Sequence, residues 1–537
     1  MLNHTYLLLA ALLFLAADLE AQTQSFKYVA SDAGPAEAFG HAVDAEGAYA
    51  VVGSRNAVVN GVDMGAAYVF DTTTGQELYK IVPADGASND KFGFSVAIEN
   101  GHVLIGCPHH SIGGVSMVGC VYVYDLSSGL EVGRLVPGTL DVKGHFGIGV
   151  AAEGNLAAVG GHTRDGAAVD SGEAFVFDWT TGVQLHSLVQ NDATTMDRMG
   201  WTVAIDNGLV LVGAHYDDDR GTDAGSAYIF DAATGAQVHK LLGNDTSTGD
   251  QFGWKLDMEG GLAVVGAHKR DFLGAVDSGA IYVFDVASGS QLAKYRAPDG
   301  AANDEFGYGL DLGGTRVAVG AAYSNSLGID SGAAYVLDVA TGALESKIVA
   351  GDGAAGDRFG GSVRLLNDIL FVGAVADDLG AINDAGSAYQ YDLLACTNLY
   401  CTVGGGSSSN VTGIGVSGCD LLSPISIDLS NGPPSQFTYL LIGAGSSVVT
   451  NPAGAVGDLC VVGGLLSRYR LDLGAISAAG TFTTDISSSA SGGPGFGIPS
   501  SGGASIQPGE TWNFQYWHRN PAGAPSGFSE AVSVAFK

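Results

Sequence analysis

The stretch FGWKLDMEGGLAVVGAHKRDFLGAVDSGAIYVFDVASG, Phe252 to Gly289, decides how the rest of the chain is read. It opens on Phe-Gly, runs through a short apolar segment, turns at Glu259-Gly260-Gly261 and enters a second run, LAVVGA. A long loop rich in Gly and Asp follows, and then a third run, AIYVFD. Each run is strand-length and rich in β-branched and aromatic residues. After Asp285 comes Val-Ala-Ser-Gly, where an Asp side chain bonds the backbone ahead and Gly takes positive φ. A fourth run, SQLAKY, begins at Ser290. The unit is therefore four short antiparallel strands joined by turns and one long loop.

The same landmarks recur outward in both directions. Phe-Gly stands at Phe39, Phe92, Phe146, Phe252, Phe306 and Phe359, and Met199-Gly200 fills the one gap, in steps of 53 or 54 residues. Thirteen residues after each of those glycines comes Gly53, Gly106, Gly160, Gly213, Gly266, Gly320 or Gly373. The third strand ends at Asp71, Asp125, Asp178, Asp231, Asp285, Asp338 or Asp392. Repeats of this length made of four strands close into a ring with only short exposed edges, which predicts an all-β, seven-bladed β-propeller. The seventh unit stops at its third strand, SAYQYD, and an unmatched strand-like run, SFKYVA, precedes the first Phe-Gly. Residues 25–30 are therefore expected to complete the blade formed by residues 359–392 and to close the ring.

On these motifs the chain resembles the FG-GAP repeat family, whose best-known members form the integrin α-chain propeller. The resemblance spans about residues 25–392 and implies a role in extracellular adhesion or ligand recognition. Family members often carry a DxDxDG calcium loop between Phe-Gly and Gly-Ala-Pro. The matching stretches here, such as AIENGHV (97–103) and DMEGGLA (257–263), offer too few oxygens for a calcium cage. The turn FDAATG also resembles that of quinoprotein propellers, but no docking Trp follows it in AQVHKLL. No quinone is expected.

Charge and the N-terminus give the expected surroundings of the chain. It has 537 residues, 56 acidic against 23 basic, for a formal charge of −33. Such a surface repels nucleic acid and anionic lipid and leaves cations or basic partners as the long-range favourites. Tyr6 to Ala17 is an apolar run too short to span a bilayer, followed by small residues, so residues 1–21 read as a signal peptide. No later segment is a membrane span. In an exported chain Cys107, Cys120, Cys396, Cys401, Cys419 and Cys460 are disulfide candidates. Cys107 and Cys120 would close one loop of the second unit; the other four allow three pairings.

The loops between second and third strands and those between units share one face, where binding is expected because they are long and varied. That face carries Asp85 and Asp90, Asp192 and Asp197, Asp245 and Asp250, Asp299 and Asp304, and Asp352 and Asp357. It also carries Asp63, Asp170, Asp223, Asp277, Asp330 and Asp384, each two residues before a glycine. These acids either cap loops or form a ring for cations and sugar hydroxyls. In HYDDDRGTD, Asp217, Asp218, Asp219 and Asp223 are the candidate calcium ligands. His109 and His110 are further metal candidates beside Cys107. No G-x-S-x-G, H-E-x-x-H or P-loop occurs, and no carboxylate pair is singled out for hydrolysis.

Residues 22–395 thus form the propeller and residues 396–537 a second domain. The latter holds strand-like runs such as FTYLLIGA and TWNFQYWH between Gly/Ser/Pro-rich segments, which predicts a small β-sandwich resembling modules appended to secreted bacterial proteins. Trp512, Tyr516 and Trp517 offer either core packing or a sugar-stacking surface. The reading that best fits is a secreted or cell-surface binding or adhesion protein with an extracellular protein or polysaccharide as ligand. An exported polysaccharide hydrolase or lyase, and a structural envelope component, are the alternatives.

Overall fold

A computed structural model describes residues 23–393 and, further along, the backbone of strands between residues 413 and 535. Two units divide at Leu393 and Leu394. The first contains seven four-stranded antiparallel sheets, each with its first strand at one edge and its fourth at the other. In the fifth blade these are Phe252–Glu259, Leu262–Ala267, Ala280–Asp285 and Ser290–Tyr295. The two middle strands are buried along almost their whole length, because neighbouring blades cover both of their faces. That is why LAVVGA and AIYVFD are nearly continuous apolar runs. Outer strands alternate instead, as in Val183–Leu188, where one face looks outward.

Each Phe of Phe-Gly wedges between blades. Phe252 meets Tyr282 and Phe284 of its own blade edge-on, at centroid distances of 5.4 and 5.9 Å, and packs with Leu211 and Ile229 of the preceding blade. Burying such a ring contributes roughly 1.5–3 kcal/mol. Met199 occupies the same seat in the fourth blade, fully buried. The glycine before each third strand is required by a close approach. Gly65, at φ +86°, forms a parallel bridge with Phe92 of the next blade, and a Cβ there would lie 2.1 Å from the Phe92 carbonyl oxygen.

The N-terminal strand runs over Thr23–Tyr28 and pairs antiparallel with Ser387–Asp392, making the fourth strand of the seventh sheet. It lies two residues earlier than the 25–30 expected from sequence. Tyr28 is 1% exposed, hydrogen-bonds Gln390 and packs 4.8 Å from Phe70 of the first blade. The Phe39–Gly386 bridge then closes the ring as the other six bridges join its members.

In the second unit a three-stranded sheet joins Gly413–Ser417, Ser426–Ser430 and Phe482–Asp485. A larger sheet pairs Thr511–His518 with Thr438–Ala444 and Val532–Ala535. Of the expected runs, 438–444 and 511–518 are thus strands. The signal peptide over residues 1–21, and Cys396, Cys401 and Cys419, lie outside the described residues. Of Cys460 only its place in the short strand Leu459–Val461 is described.

Candidate functional site

The seven first strands surround a central channel, and its mouth opens on the long-loop face. The residue after each Phe-Gly points the blades' differences at this mouth: His41, Phe94, Ile148, Trp201, Trp254, Tyr308 and Gly361. These residues, with Arg55, Lys255 and Arg358, line a cavity of about 360 Å³. Trp201 and Trp254 lie 5.0 Å apart at 32°, and Tyr308 continues the row 5.6 Å from Trp254. The Trp254 indole Nε1 is buried without a hydrogen-bond partner.

The cations of the mouth lack carboxylate partners. Lys255 makes no hydrogen bond or ion pair among the described residues, and burial lowers its pKa. Arg55 lies over the Phe94 ring at 5.4 Å and approaches His41 Nε2 at 3.4 Å; burial lowers its pKa too. Burial, with Arg55 and Lys255 close by, holds His41 well below the usual imidazole range. Arg358 sits over Tyr323 at 5.2 Å. Glu305, which acts on Arg358 and Tyr308, is pushed up to about 7 by burial. Behind the tryptophans, His215 and His268 are each 2% exposed and pushed down to about 3 by burial, so they are neutral.

Farther down the channel the chemistry inverts. Asp44, Asp257 and Asp311 share one ring with Arg364. Arg364 Nε is 2.7 Å from Asp44 and its Nη1 is 3.2 Å from Asp311. Each carboxylate also accepts a backbone N–H of the next blade: Ile98 to Asp44 at 2.6 Å, Leu312 to Asp257 and Leu365 to Asp311, both at 2.7 Å. Burial and the nearby Asp311 push Asp257 up to about 8. With their oxygens spent on neighbouring strands, these acids pin the channel wall.

The acidic loops carry a second, outer ring of contacts. In six blades a third-strand Tyr donates to the first Asp of the inter-blade loop, and a fourth-strand Lys or Arg binds the same Asp. Tyr68–Asp32–Lys80, Tyr122–Asp85–Arg134, Tyr282–Asp245–Lys294 and Tyr335–Asp299–Lys347 all follow this plan, with N–O distances of 2.6–2.8 Å. In the seventh blade the N-terminal strand supplies the cation, Lys27, 2.6 Å from Asp352. The second Asp of each loop caps it: Asp90, Asp197, Asp250, Asp304 and Asp357 accept the N–H three residues earlier.

A family model described as FG-GAP repeat matches residues 23–70, 76–124, 183–230, 236–284, 290–337 and 343–391, more than half of the chain. The chain belongs to the FG-GAP repeat family. No curated protein matches it closely. The first matched span starts at residue 23, so the N-terminal strand is itself part of an FG-GAP repeat. The unmatched stretch, 125–182, holds the fourth strand of the second blade and the first three strands of the third blade of this FG-GAP propeller. That blade also departs from the outer ring: Phe175 stands in place of the Tyr, opposite Ser187 in place of the Lys. Membership agrees with a binding or adhesion role. No described helix is long and apolar enough to cross a membrane.

The candidate residues of the acidic face are mostly engaged with one another. Lys240 lies 2.8, 3.0 and 2.5 Å from Asp192, Asp217 and Asp219, and Asp218 accepts the N–H of Asp223 at 2.8 Å. The four candidate calcium ligands therefore enclose an ammonium and a backbone turn. Asp170, Asp277, Asp330 and Asp384 repeat the turn of Asp223, each at positive φ with its own N–H capped from five or six residues upstream. Cys107 and Cys120 face each other directly across paired strands and are free, buried thiols rather than the bridge expected from sequence. With His110 they bring ligand atoms within 4.8 Å of one another, and Asp90 accepts from His110 Nδ1 at 2.8 Å. His109 points elsewhere, contacting the Asn89 carbonyl and the His145 ring.

Proposed function

We propose that this FG-GAP propeller is an extracellular binding protein whose recognition site is the mouth of its central channel. The observation that carries the reading is the set of unpaired groups collected there. A chain with 56 acidic residues leaves Lys255 and Arg55, both on the cavity lining, without a carboxylate. Burying such groups without partners costs stability, so a ligand that supplies the missing contacts is the physical reason to keep them. The cavity of about 360 Å³ is at the lower end of small-ligand sites, about 300–1,000 Å³. It admits a chain end, a loop tip or a small molecule, with the surrounding loops available to a larger partner.

The test is a titration of the mature chain with extracellular polysaccharides and cell-envelope fractions, with calcium and with chelator, followed by tryptophan fluorescence. Binding should be lost in Trp254→Ala. A ligand that binds equally well to Trp254→Ala and Trp201→Ala would place recognition elsewhere and sink the reading.

A further inference from the structure

We propose that the mouth selects an anionic sugar, carboxylated or sulfated, presented at or near the end of a glycan. The inference rests on the mouth being the binding site and adds the chemistry of what it binds.

Charge gives the first argument. Lys255 from the fifth blade and Arg55 from the first both act on His41, so they converge across the channel with no protein anion between them. Arg358, from the seventh blade, faces the same tyrosine, Tyr308, as Arg55 does. Arg55, Lys255 and Arg358 all line the cavity, with Glu305 acting beside Arg358 and no acid paired to Arg55 or Lys255, and an anion completes that pair. The outer ring shows what this chain does with cations that serve the fold: it gives each an aspartate within 2.8 Å.

Shape gives the second. Phe94, Trp201, Trp254 and Tyr308 all line the cavity, and an aromatic lining packs against the apolar face of a sugar ring while its hydroxyls reach polar groups at the edge. The third argument is the net charge of −33, which repels densely charged polymers at long range. A short chain end carrying one or two acidic groups meets the local cations without bringing a polyanion against the acidic loops.

The experiment is calorimetric titration of the full chain with four probes. They are an oligogalacturonide, a sulfated galactose oligosaccharide, the neutral galactose oligosaccharide of equal length and a short glutamate-rich peptide. At least one acidic sugar should bind about tenfold or more tightly than the neutral one. Lys255→Met and Arg55→Gln should each collapse that preference, whereas Lys80→Met on the outer ring should leave it intact. Preference for one acidic sugar over the other identifies the anion. Equal binding of acidic and neutral sugars, both lost in Trp254→Ala, would overturn the anion inference and leave the binding site standing. Binding of any probe untouched by Trp254→Ala would overturn both. Uptake of the peptide alone, dependent on Lys255, would overturn the sugar and assign the site to acidic protein segments.

Discussion

The outer ring and the channel mouth are built from the same residue types to opposite ends. Around the outer ring, Lys27, Lys80, Arg134, Lys240, Lys294 and Lys347 each lie against an aspartate that also accepts a tyrosine hydroxyl. At the mouth, Lys255, Arg55 and Arg358 have aromatic neighbours and no aspartate. The outer pattern repeats blade after blade because it solves a problem that every blade has, holding its outermost strand and its loop together. The mouth pattern does not repeat: the same position is His, Phe, Ile, Trp, Trp, Tyr and Gly around the ring. In a repeat protein, what recurs is scaffold and what breaks the recurrence is available for recognition.

The largest way to break the comparison is to break the ring that supports both regions. Tyr28→Ala removes a side chain that is 1% exposed and wedged between the seventh and first blades. By analogy with large aromatic deletions it should cost about 3–5 kcal/mol in urea unfolding. Removing Thr23–Tyr28 altogether should leave the seventh sheet with an open edge and broaden the melting transition. If the shortened chain unfolds as sharply as the whole one, closure is not what holds the ring.

Next in size is Lys240→Met, which strips the cation from among Asp192, Asp217 and Asp219. Asp217 is only 4% exposed, so its charge is left uncompensated in a poorly solvated place. Stability should fall by about 3 kcal/mol in chemical denaturation, toward the low end for a broken buried pair because Asp192 and Asp219 remain half in solvent. Ligand binding at the mouth should be unchanged. Asp217→Asn in the same background should recover part of the loss, since the orphaned charge is then gone.

The second blade keeps this scheme with Arg134 as its cation, and its thiols offer a smaller test. Cys107 and Cys120 are free thiols directly opposed on paired strands, so an oxidant has a pair in place to join across a short loop. In protein secreted into an oxidising medium, a non-reducing peptide map should link the two. Reduction should then cost on the order of 3 kcal/mol. Unlinked thiols that chelator treatment makes reactive would instead mark Cys107, His110 and Cys120 as holding a metal.

The fold is legible in the sequence because its signals are local and repeated. Phe-Gly, the glycine thirteen residues on and the terminal Asp each answer one steric need, and seven registers agree. Asp-x-x-Thr/Ser-Gly is the turn its residue types predict: Asp231 accepts from the backbone and hydroxyl of Thr234, and Gly235 has φ +72°. The site is harder to read. Sequence draws attention to the acidic loops because carboxylates there are many, but it does not show that Tyr282 and Lys294 reach Asp245 from other strands. The mouth has one legible signal, the variable residue just after a recurring dipeptide. Lys255, Arg55 and Arg358 lie far apart in the chain, and only closure of the ring places them together.

Acid should separate the two regions further. His215 and His268, behind the mouth tryptophans, are held down to about 3 by burial, against an ordinary value of 6.5. Between those values the unfolded chain takes up protons that the folded chain refuses. Stability is therefore complete above about pH 6.5 and declines as pH falls below it. Each histidine contributes about 1.4 kcal/mol per pH unit to the decline. The outer aspartates have lowered pKa values through their lysines and arginine, Asp85 to about 2, so their contribution persists until pH drops below the ordinary carboxylate range. Replacing His215 with Phe should take about 1.4 kcal/mol per pH unit off the first decline, with His268 keeping its share, and leave the second. A stability profile flat from pH 7 to 5 would mean that the histidines are not excluded from water as described.

The smallest effect carries the sharpest contrast. Lys240→Met and Lys255→Met make the same chemical change in the same fold, and they should differ in sign. Lys240 balances three carboxylates, so losing it costs stability. Lys255 balances none, and burial already lowers its pKa, so losing it relieves a desolvated charge. Its thermal midpoint should hold or rise by about a degree or two, a fraction of a kcal/mol in a chain of this size. A clear fall in the midpoint would show that Lys255 has a structural partner and that the mouth, like the outer ring, is scaffold. A held or raised midpoint together with lost binding would mean that the chain keeps a cation it would be more stable without, and retention of that kind requires a use beyond folding.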